Sequence, residues 1–211
     1  MDDKRFWNFC VFMYDFWHNL EYKSYRLVAD NICDKIQGNE KILEVACGTG
    51  ILTKEITKRY DGLDYTAIDY AKNMIDICQK KQISATFEIG DATDLPYDNE
   101  SFDIIIIANA LHIMPEPSKV ISEIRRCLRS TGRLYASNFL TPSTFKEKFI
   151  LDVIRKYGYN VHNEFSFDGY INFLKSNGLE INKKEIYKCF RTLLFTECVK
   201  QDDSKELKME Y

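Results

Sequence analysis

The sequence predicts an α/β fold: a doubly wound, mostly parallel sheet with helices on both faces and an antiparallel hairpin at its carboxyl end. Three observations lead there. Short apolar runs alternate with segments of helical periodicity from Lys41 to Asn138. The strongest run, Phe102 to Ile107, is β-branched and does not alternate, as a central strand covered on both faces requires. Beyond these units, two strand-like runs near Glu180–Lys188 and Arg191–Val199 are separated by little more than a turn.

Each element has its own warrant. Tyr25, Val28, Ala29, Ile32, Cys33 and Ile36 recur at the offsets of an amphipathic helix, which Gly38 stops. Lys41–Ala46 reads as a short buried strand, followed by the turn Cys47-Gly48-Thr49-Gly50 and a helix over about Ile51–Arg59. A strand over Leu63–Asp69 precedes a helix over about Ala71–Lys81, and a third strand, Ala85–Ile89, runs into Gly90-Asp91. After Phe102–Ile107 a helix is expected over about Glu116–Leu128, with Val120, Ile121, Ile124 and Leu128 on one face, and then a strand over Arg133–Asn138. Helices near Thr144–Tyr157 and Asp168–Asn177 precede the hairpin, and 201–211 reads as a charged tail.

Composition bounds the function. Two hundred and eleven residues with 45% hydrophobic and 29% charged side chains make one ordinary domain with a real core. A formal charge of -3 gives no footprint for long phosphate tracts, so nucleic acid is not expected as a partner. No apolar run approaches the roughly 18 residues of a membrane span. The 7 cysteines are scattered, without a Cys-x-x-Cys pair, and read as reduced packing residues of a cytoplasmic protein. No metal-ligand spacing is seen.

In an open α/β sheet, ligands bind beyond the carboxyl ends of the strands where strand order reverses. The first strand ends there with Leu43-Glu44-Val45-Ala46-Cys47-Gly48-Thr49-Gly50, in which glycines let the backbone approach a ligand closely. A tight strand-to-helix turn is the plainer reading of a lone Gly-x-Gly. A dinucleotide site calls for a third glycine, and here that position is Thr53.

The pattern resembles the class I S-adenosylmethionine-dependent methyltransferases, in particular the type 11-like small-molecule branch that includes the ubiquinone/menaquinone C-methyltransferases. Leu43–Gly50 is similar to that family's first motif, with Ala46 at the first glycine position, a mild change if the backbone there has negative φ. The resemblance implies a seven-stranded Rossmann-like fold with a helical lid, S-adenosylmethionine as cofactor and S-adenosylhomocysteine as product. It implies cofactor contacts from Glu44, Ala46, Cys47, Gly48 and Gly50. Asp69, 19 residues past Gly50, matches the acid that accepts from both ribose hydroxyls, and it also suits a helix cap. Tyr70 and Met74 match the apolar neighbours of the adenine ring, or are core. Asp91 and Ala92 match the adenine-reading turn, and Ala108 or Asn109 would offer a backbone carbonyl to the cofactor ammonium.

His112 is the nearby group whose ordinary pKa suits proton transfer at neutrality; it reads either as a base or as a structural histidine beneath its loop. The Asn/Asp-Pro-Pro-aromatic motif of base-amine methylating enzymes is replaced by Asn109-Ala110-Leu111-His112, and Cys127 lacks a Pro-Cys context, so nucleic-acid bases are not expected as acceptors.

Phe6 to Trp17 packs seven aromatics into twelve residues. This segment is a helix buried on the sheet edge, a lid that brings Tyr14 to the sulfonium or substrate, or a peripheral membrane contact. The expected organisation is a single domain over 1–200, with a lid over 1–38, a cofactor core over 41–138 and substrate-side helices plus hairpin over 139–200. Phe139, Phe145, Phe149, Tyr157, Tyr159, Phe165 and Phe167 favour an apolar or thiol-bearing acceptor, or are core. The function expected is methyl transfer to a small molecule by a monomer or homodimer. The alternatives are a catalytically silent cofactor sensor or partner subunit and, further off, an NAD-dependent oxidoreductase. Cys47, inside the cofactor loop, would make binding sensitive to oxidation.

Overall fold

A computed structural model describes residues 22–142, 144–156 and 159–201. Tyr14 and the aromatic segment, Tyr157 and most of the charged tail lie outside the described residues. Residues 22–33 are helical (α1), and then follow β1 (Lys41–Val45), α2 (Ile51–Thr57), β2 (Asp64–Asp69), α3 (Lys72–Lys80) and β3 (Thr86–Ile89). The second half runs β4 (Phe102–Ala108), a 3-10 turn (Leu111–Ile113), α4 (Pro117–Cys127), β5 (Leu128–Phe139), α5 (Phe145–Lys156), α6 (Phe167–Ser176), β6 (Leu179–Lys188) and β7 (Thr192–Lys200). One seven-stranded sheet has the order β3-β2-β1-β4-β5-β7-β6. The first five strands pair in parallel; β7 lies antiparallel between β5 and β6.

The unbroken apolar run of β4 follows from its place. Ile105 and Ile107 join the cluster under α4 and α6, with Val120, Ile124 and Leu174, whereas Ile104 and Ile106 join the cluster under α1, α2 and α3, with Ile32, Ile56 and Ile75. All four isoleucines are buried. Each contributes roughly 1.5–3 kcal/mol, so β4 anchors both layers. The periodic face read for α1 is the buried one: Tyr25, Val28, Ala29, Ile32, Cys33 and Ile36 are all inside.

Two features differ from expectation. β5 begins at Leu128, where the sequence continues the helix, because Leu128 turns extended (φ -73, ψ 136) and pairs with Phe102 before the register shifts. Gly132 permits that close approach, since a Cβ there would lie 2.9 Å from the Asp103 carbonyl oxygen. The aromatics after Asn138 also divide. Phe139 and Phe165 are buried, while Phe145 and Phe149 on α5 are 86% and 62% exposed. Among the described residues no helix is long and apolar enough to cross a membrane, and no group of three or more His, Cys, Asp or Glu could hold a metal ion.

Candidate functional site

Strand order reverses between β1 and β4, and Val45 is in register with both Ile68 and Ile107, so the carboxyl ends of β1, β2 and β4 finish level. A cavity of about 280 Å³ opens there. Its walls come from the loop after β1, the ends of β2 and β3, the start of α3, the segment Ala108–Glu116, and Tyr25 of α1.

The loop after β1 is tied to β2 by its own amides. The Cys47 N–H donates to the Ile68 carbonyl (2.9 Å), and the Gly48 N–H donates to Asp69 Oδ2 (2.9 Å). That geometry drives Ala46 into the left-handed region at φ 58, beside Gly48 at 55 and Gly50 at 73. The expected negative φ at Ala46 is therefore corrected: alanine stands where the family's glycine costs nothing. Left-handed alanine costs roughly 1–2 kcal/mol, against about 0.5–1 kcal/mol of extra unfolded-chain entropy for glycine. Ala46→Gly is expected to raise stability by up to about 1 kcal/mol and Tm by about 2–4 °C. Thermal unfolding of both proteins checks this; a fall in Tm would show that the backbone there is unstrained.

Two of the acids in the cavity wall stand at strand ends. Glu44 is buried at the end of β1, its Oε2 accepting from Thr53 Oγ1 (2.6 Å) and Tyr65 OH (2.8 Å). Burial pushes its carboxyl up to about 7, against the pull of those two donors. Thr53, read in the sequence only as a missing glycine, is a hydroxyl facing Glu44 one turn into α2. Tyr65 was not singled out. Its signal is the parallel register: Ala67 pairs with Glu44, so Tyr65, two residues earlier, shares that face. Asp69 takes one backbone amide on each oxygen, Gly48 N–H on Oδ2 and Ala71 N–H on Oδ1, both at 2.9 Å. It thus caps the entry to α3, and burial raises its pKa despite the two amides. Each oxygen keeps a further lone pair for a ligand.

Asp91 holds its own turn, with Oδ1 accepting from the Thr93 N–H and hydroxyl at 2.8 Å each. Cys47, Gly48, Tyr70, Met74, Ala92, Ala108 and Asn109 line the cavity with Glu44, Ala46, Asp69 and Asp91, as the sequence places them. Asn109 is left-handed at φ 56, donates its N–H to the Ser137 carbonyl (2.8 Å), and has a buried Nδ2 with no partner among the described residues. Gly50 lies outside the lining: a Cβ on it would meet Cys78 Sγ and Ile83 Cδ1 at 3.0 Å, so its role is to let the loop settle on α3. Tyr25, Thr49, Ile51, Pro115 and Glu116 also line it and were not assigned from the sequence. Tyr25 read only as a core-facing helical position, which it also is. None of the described aromatics of the stretch after Asn138 lines the cavity.

His112 is not in the lining either. It is buried under the 3-10 turn, its Nδ1 against Asn138 Oδ1 (2.9 Å) and its Nε2 against Tyr159 OH (2.6 Å). Its carbonyl accepts from the amides of His162 (2.9 Å) and Asn163 (3.0 Å). Burial, then the charge of Arg191, pushes its pKa down to about 3, so the ring is neutral with Nδ1 as donor. Of the two readings of His112, the geometry is that of the structural one, pinning 159–163 beneath the loop.

The electrostatic balance of the cavity is one-sided. Glu44, Asp69, Asp91 and Glu116 face it, and no Lys, Arg or His is among its described lining residues. Such a wall suits a ligand carrying positive charge and opposes one carrying a pyrophosphate.

Residues 43–136 match a family model described as a methyltransferase domain. The demethylmenaquinone methyltransferase of Thermotoga maritima is 33% identical over 105 residues, 50% of this chain and 46% of that one. The phthiotriol/phenolphthiotriol dimycocerosates methyltransferase of Mycobacterium leprae is 38% identical over 97 residues, 45% of this chain and 36% of that one. The matched stretch spans less than half the length of these curated relatives. Among solved structures, an S-adenosylmethionine-dependent methyltransferase from Thermotoga maritima superposes with a TM-score of 0.72 at 15% identity, covering 93% of this chain and 99% of that one. The sheet order, the antiparallel insertion and the flanking helices are that fold.

Proposed function

We propose that this chain, whose residues 43–136 form a methyltransferase domain on a class I methyltransferase fold, transfers the methyl group of S-adenosylmethionine to a small apolar acceptor. The observation that carries the reading is the charge of the cavity: four carboxylates and no cation among its described lining residues. An ammonium and a sulfonium fit that wall, and the two phosphates of NAD do not.

When bound, the cofactor supplies an activated methyl electrophile. The chain's residues have the simpler work of binding, orienting and drying. Asp69 accepts from the ribose hydroxyls with the lone pairs its backbone amides leave. Asp91 and the Ala92 amide read the adenine edge, and Tyr70 and Met74 flank the ring. Glu44 and the strand-end carbonyls of Ala108 and Asn109 receive the ammonium. A cation beside Glu44 draws its proton off, so affinity rises with pH through about 7. Ile113, Met114, Pro115 and Val120 make the opposite wall apolar, which favours an apolar acceptor. The acceptors that the relatives are named for, demethylmenaquinone and phthiotriol/phenolphthiotriol dimycocerosates, have the same character. Residues 41–138 serve as the cofactor half, and the apolar wall at 113–120 belongs to it. His112 serves as a positioning residue, and transfer proceeds without a histidine base.

The test is a thermal shift of the full chain. At 100 times its dissociation constant, S-adenosylmethionine is expected to stabilise the fold by about 2.7 kcal/mol, or roughly 5–10 °C, and more at pH 8 than at pH 6. NAD is expected to shift nothing. Equal shifts with both, or a shift with NAD alone, would overturn the reading. Stabilisation by S-adenosylmethionine without release of S-adenosylhomocysteine across a panel of quinols, lipid phenols and thiols would favour a silent sensor.

A further inference from the structure

The cofactor loop carries a second feature, visible only in three dimensions. Cys47 of the loop and Cys78 of α3 approach the same atom: their sulfurs lie 3.7 and 3.2 Å from the Gly48 carbonyl oxygen. The Cys78 thiol is close enough to raise the pKa of the Cys47 thiol. Cys47 is 7% exposed and stands in the cavity wall, whereas Cys78 is fully buried behind it, packed where a Gly50 Cβ would lie at 3.0 Å. A thiol that lines the cavity, backed by one packed behind it, is the arrangement of an attacked and a resolving cysteine.

We propose that Cys47 and Cys78 form a reversible disulfide that fastens the cofactor loop to α3 and lowers the affinity for S-adenosylmethionine. This inference rests on the methyltransferase reading for its consequence, but not for its chemistry. The oxidant is a small disulfide such as glutathione disulfide. The Cys47 thiolate attacks one of its sulfurs, forming a mixed disulfide and expelling one glutathione thiolate. The Cys78 thiolate then attacks the Cys47 sulfur, expelling the second. Two protein thiols become one disulfide, and one glutathione disulfide becomes two glutathione thiols, so electrons and protons balance.

An S–S bond of about 2.05 Å requires the loop to move toward α3, because two non-bonded sulfurs cannot approach so closely. The movement takes Gly48 with it. The Gly48 N–H donates to Asp69 Oδ2, so moving the loop disturbs the acid that the cofactor needs. The Cys78 contact, then burial, hold the Cys47 thiol well above its ordinary pKa, so little thiolate forms and the exchange proceeds only under sustained oxidation. Cys47 and Cys78 are both free thiols.

The test uses the full chain, oxidised with glutathione disulfide and mapped by peptide mass spectrometry. The expected product is a peptide pair joining Cys47 to Cys78, lighter by two hydrogens, with affinity for S-adenosylmethionine reduced about tenfold and restored by dithiothreitol. Saturating S-adenosylmethionine is expected to slow its formation, because coupling between the two is reciprocal. Cys78→Ser is expected to keep the reduced-state affinity and to lose both the crosslink and the oxidative drop. Oxidation confined to other cysteines, or a crosslink that leaves affinity unchanged, would overturn the proposal. If the reduced protein does not bind S-adenosylmethionine at all, the methyltransferase reading fails, and the peptide map still decides whether the disulfide exists.

Discussion

Asp69→Asn is expected to weaken S-adenosylmethionine binding about 100-fold and to destabilise the apo fold by about 1–3 kcal/mol. The two losses have separate origins. Both carboxylate oxygens accept a backbone amide at 2.9 Å, from Gly48 and from Ala71. An asparagine side chain has one oxygen, so its NH2 must face one of those donors, leaving a buried N–H unpaired. The second loss is the charged acceptor that Asp69 offers to two ribose hydroxyls under the proposed function; hydrogen bonds to a charged group contribute roughly 1.5–3 kcal/mol each, and about 3 kcal/mol is 100-fold in affinity. Calorimetric titration and urea unfolding measure the two losses independently. Because the ribose is common to substrate and product, S-adenosylhomocysteine should lose as much affinity as S-adenosylmethionine. A variant that binds within threefold of wild type would remove Asp69 from the site.

His112→Gln is expected to change how stability depends on pH, and in a specific direction. The folded pKa of His112 is depressed to about 3, below the ordinary value near 6.5 of the unfolded chain. Its contribution is therefore complete above about pH 6.5 and is lost as pH falls toward 3, one proton being taken up on unfolding. Glu44 has the opposite sign. Its folded pKa is raised to about 7, so its contribution is complete below about 4.5 and is lost as pH rises to 7. Between about pH 4.5 and 6.5 the two nearly cancel. Removing His112 leaves Glu44 unopposed, and the variant should gain stability relative to wild type by about 1.4 kcal/mol per pH unit as pH falls through that window. At pH 7.5 the variant should be about 2 kcal/mol less stable, since a buried ring bonded to Asn138 and Tyr159 is lost. Urea unfolding at four pH values checks the slope. A stability difference constant across them would mean that the ring titrates as it does in water.

Much of this arrangement is local and could be read from the chain. The isoleucine run of β4, the helical face from Tyr25 to Ile36, and the acid–glycine turn of 44–50 each declare themselves within about ten residues, because periodicity and turn chemistry are properties of neighbours. Asp69 and Asp91, at the ends of the second and third strands, are legible through the resemblance to the methyltransferase motifs. What the sequence hid depends on contacts across the sheet. The left-handed φ of Ala46 comes from amides reaching to Ile68 and Asp69, not from alanine's own preference. Tyr65 reaches Glu44 through strand register. Cys78 lies thirty-one residues from Cys47 and approaches it because α3 packs under the loop. His112 has the right chemistry for a base and the wrong address, its ring enclosed by Asn138 and Tyr159 far along the chain.

The position of β7 between β5 and β6 has a consequence for how the molecule is made. A ribosome delivers β5 before it delivers β7, and roughly 60 residues separate the end of one from the end of the other. At about 5–20 residues per second, the hydrogen-bonding edge of β5 waits about 3–12 s for the strand that covers it. During that interval the nascent chain holds a parallel half-sheet that can already be complete around the cofactor loop, with Leu134 and Ala136 on an unpaired border. Vectorial synthesis therefore favours an early cofactor half and a late seal, and a chain stopped before Thr192 should be captured by chaperones or self-associate through that border.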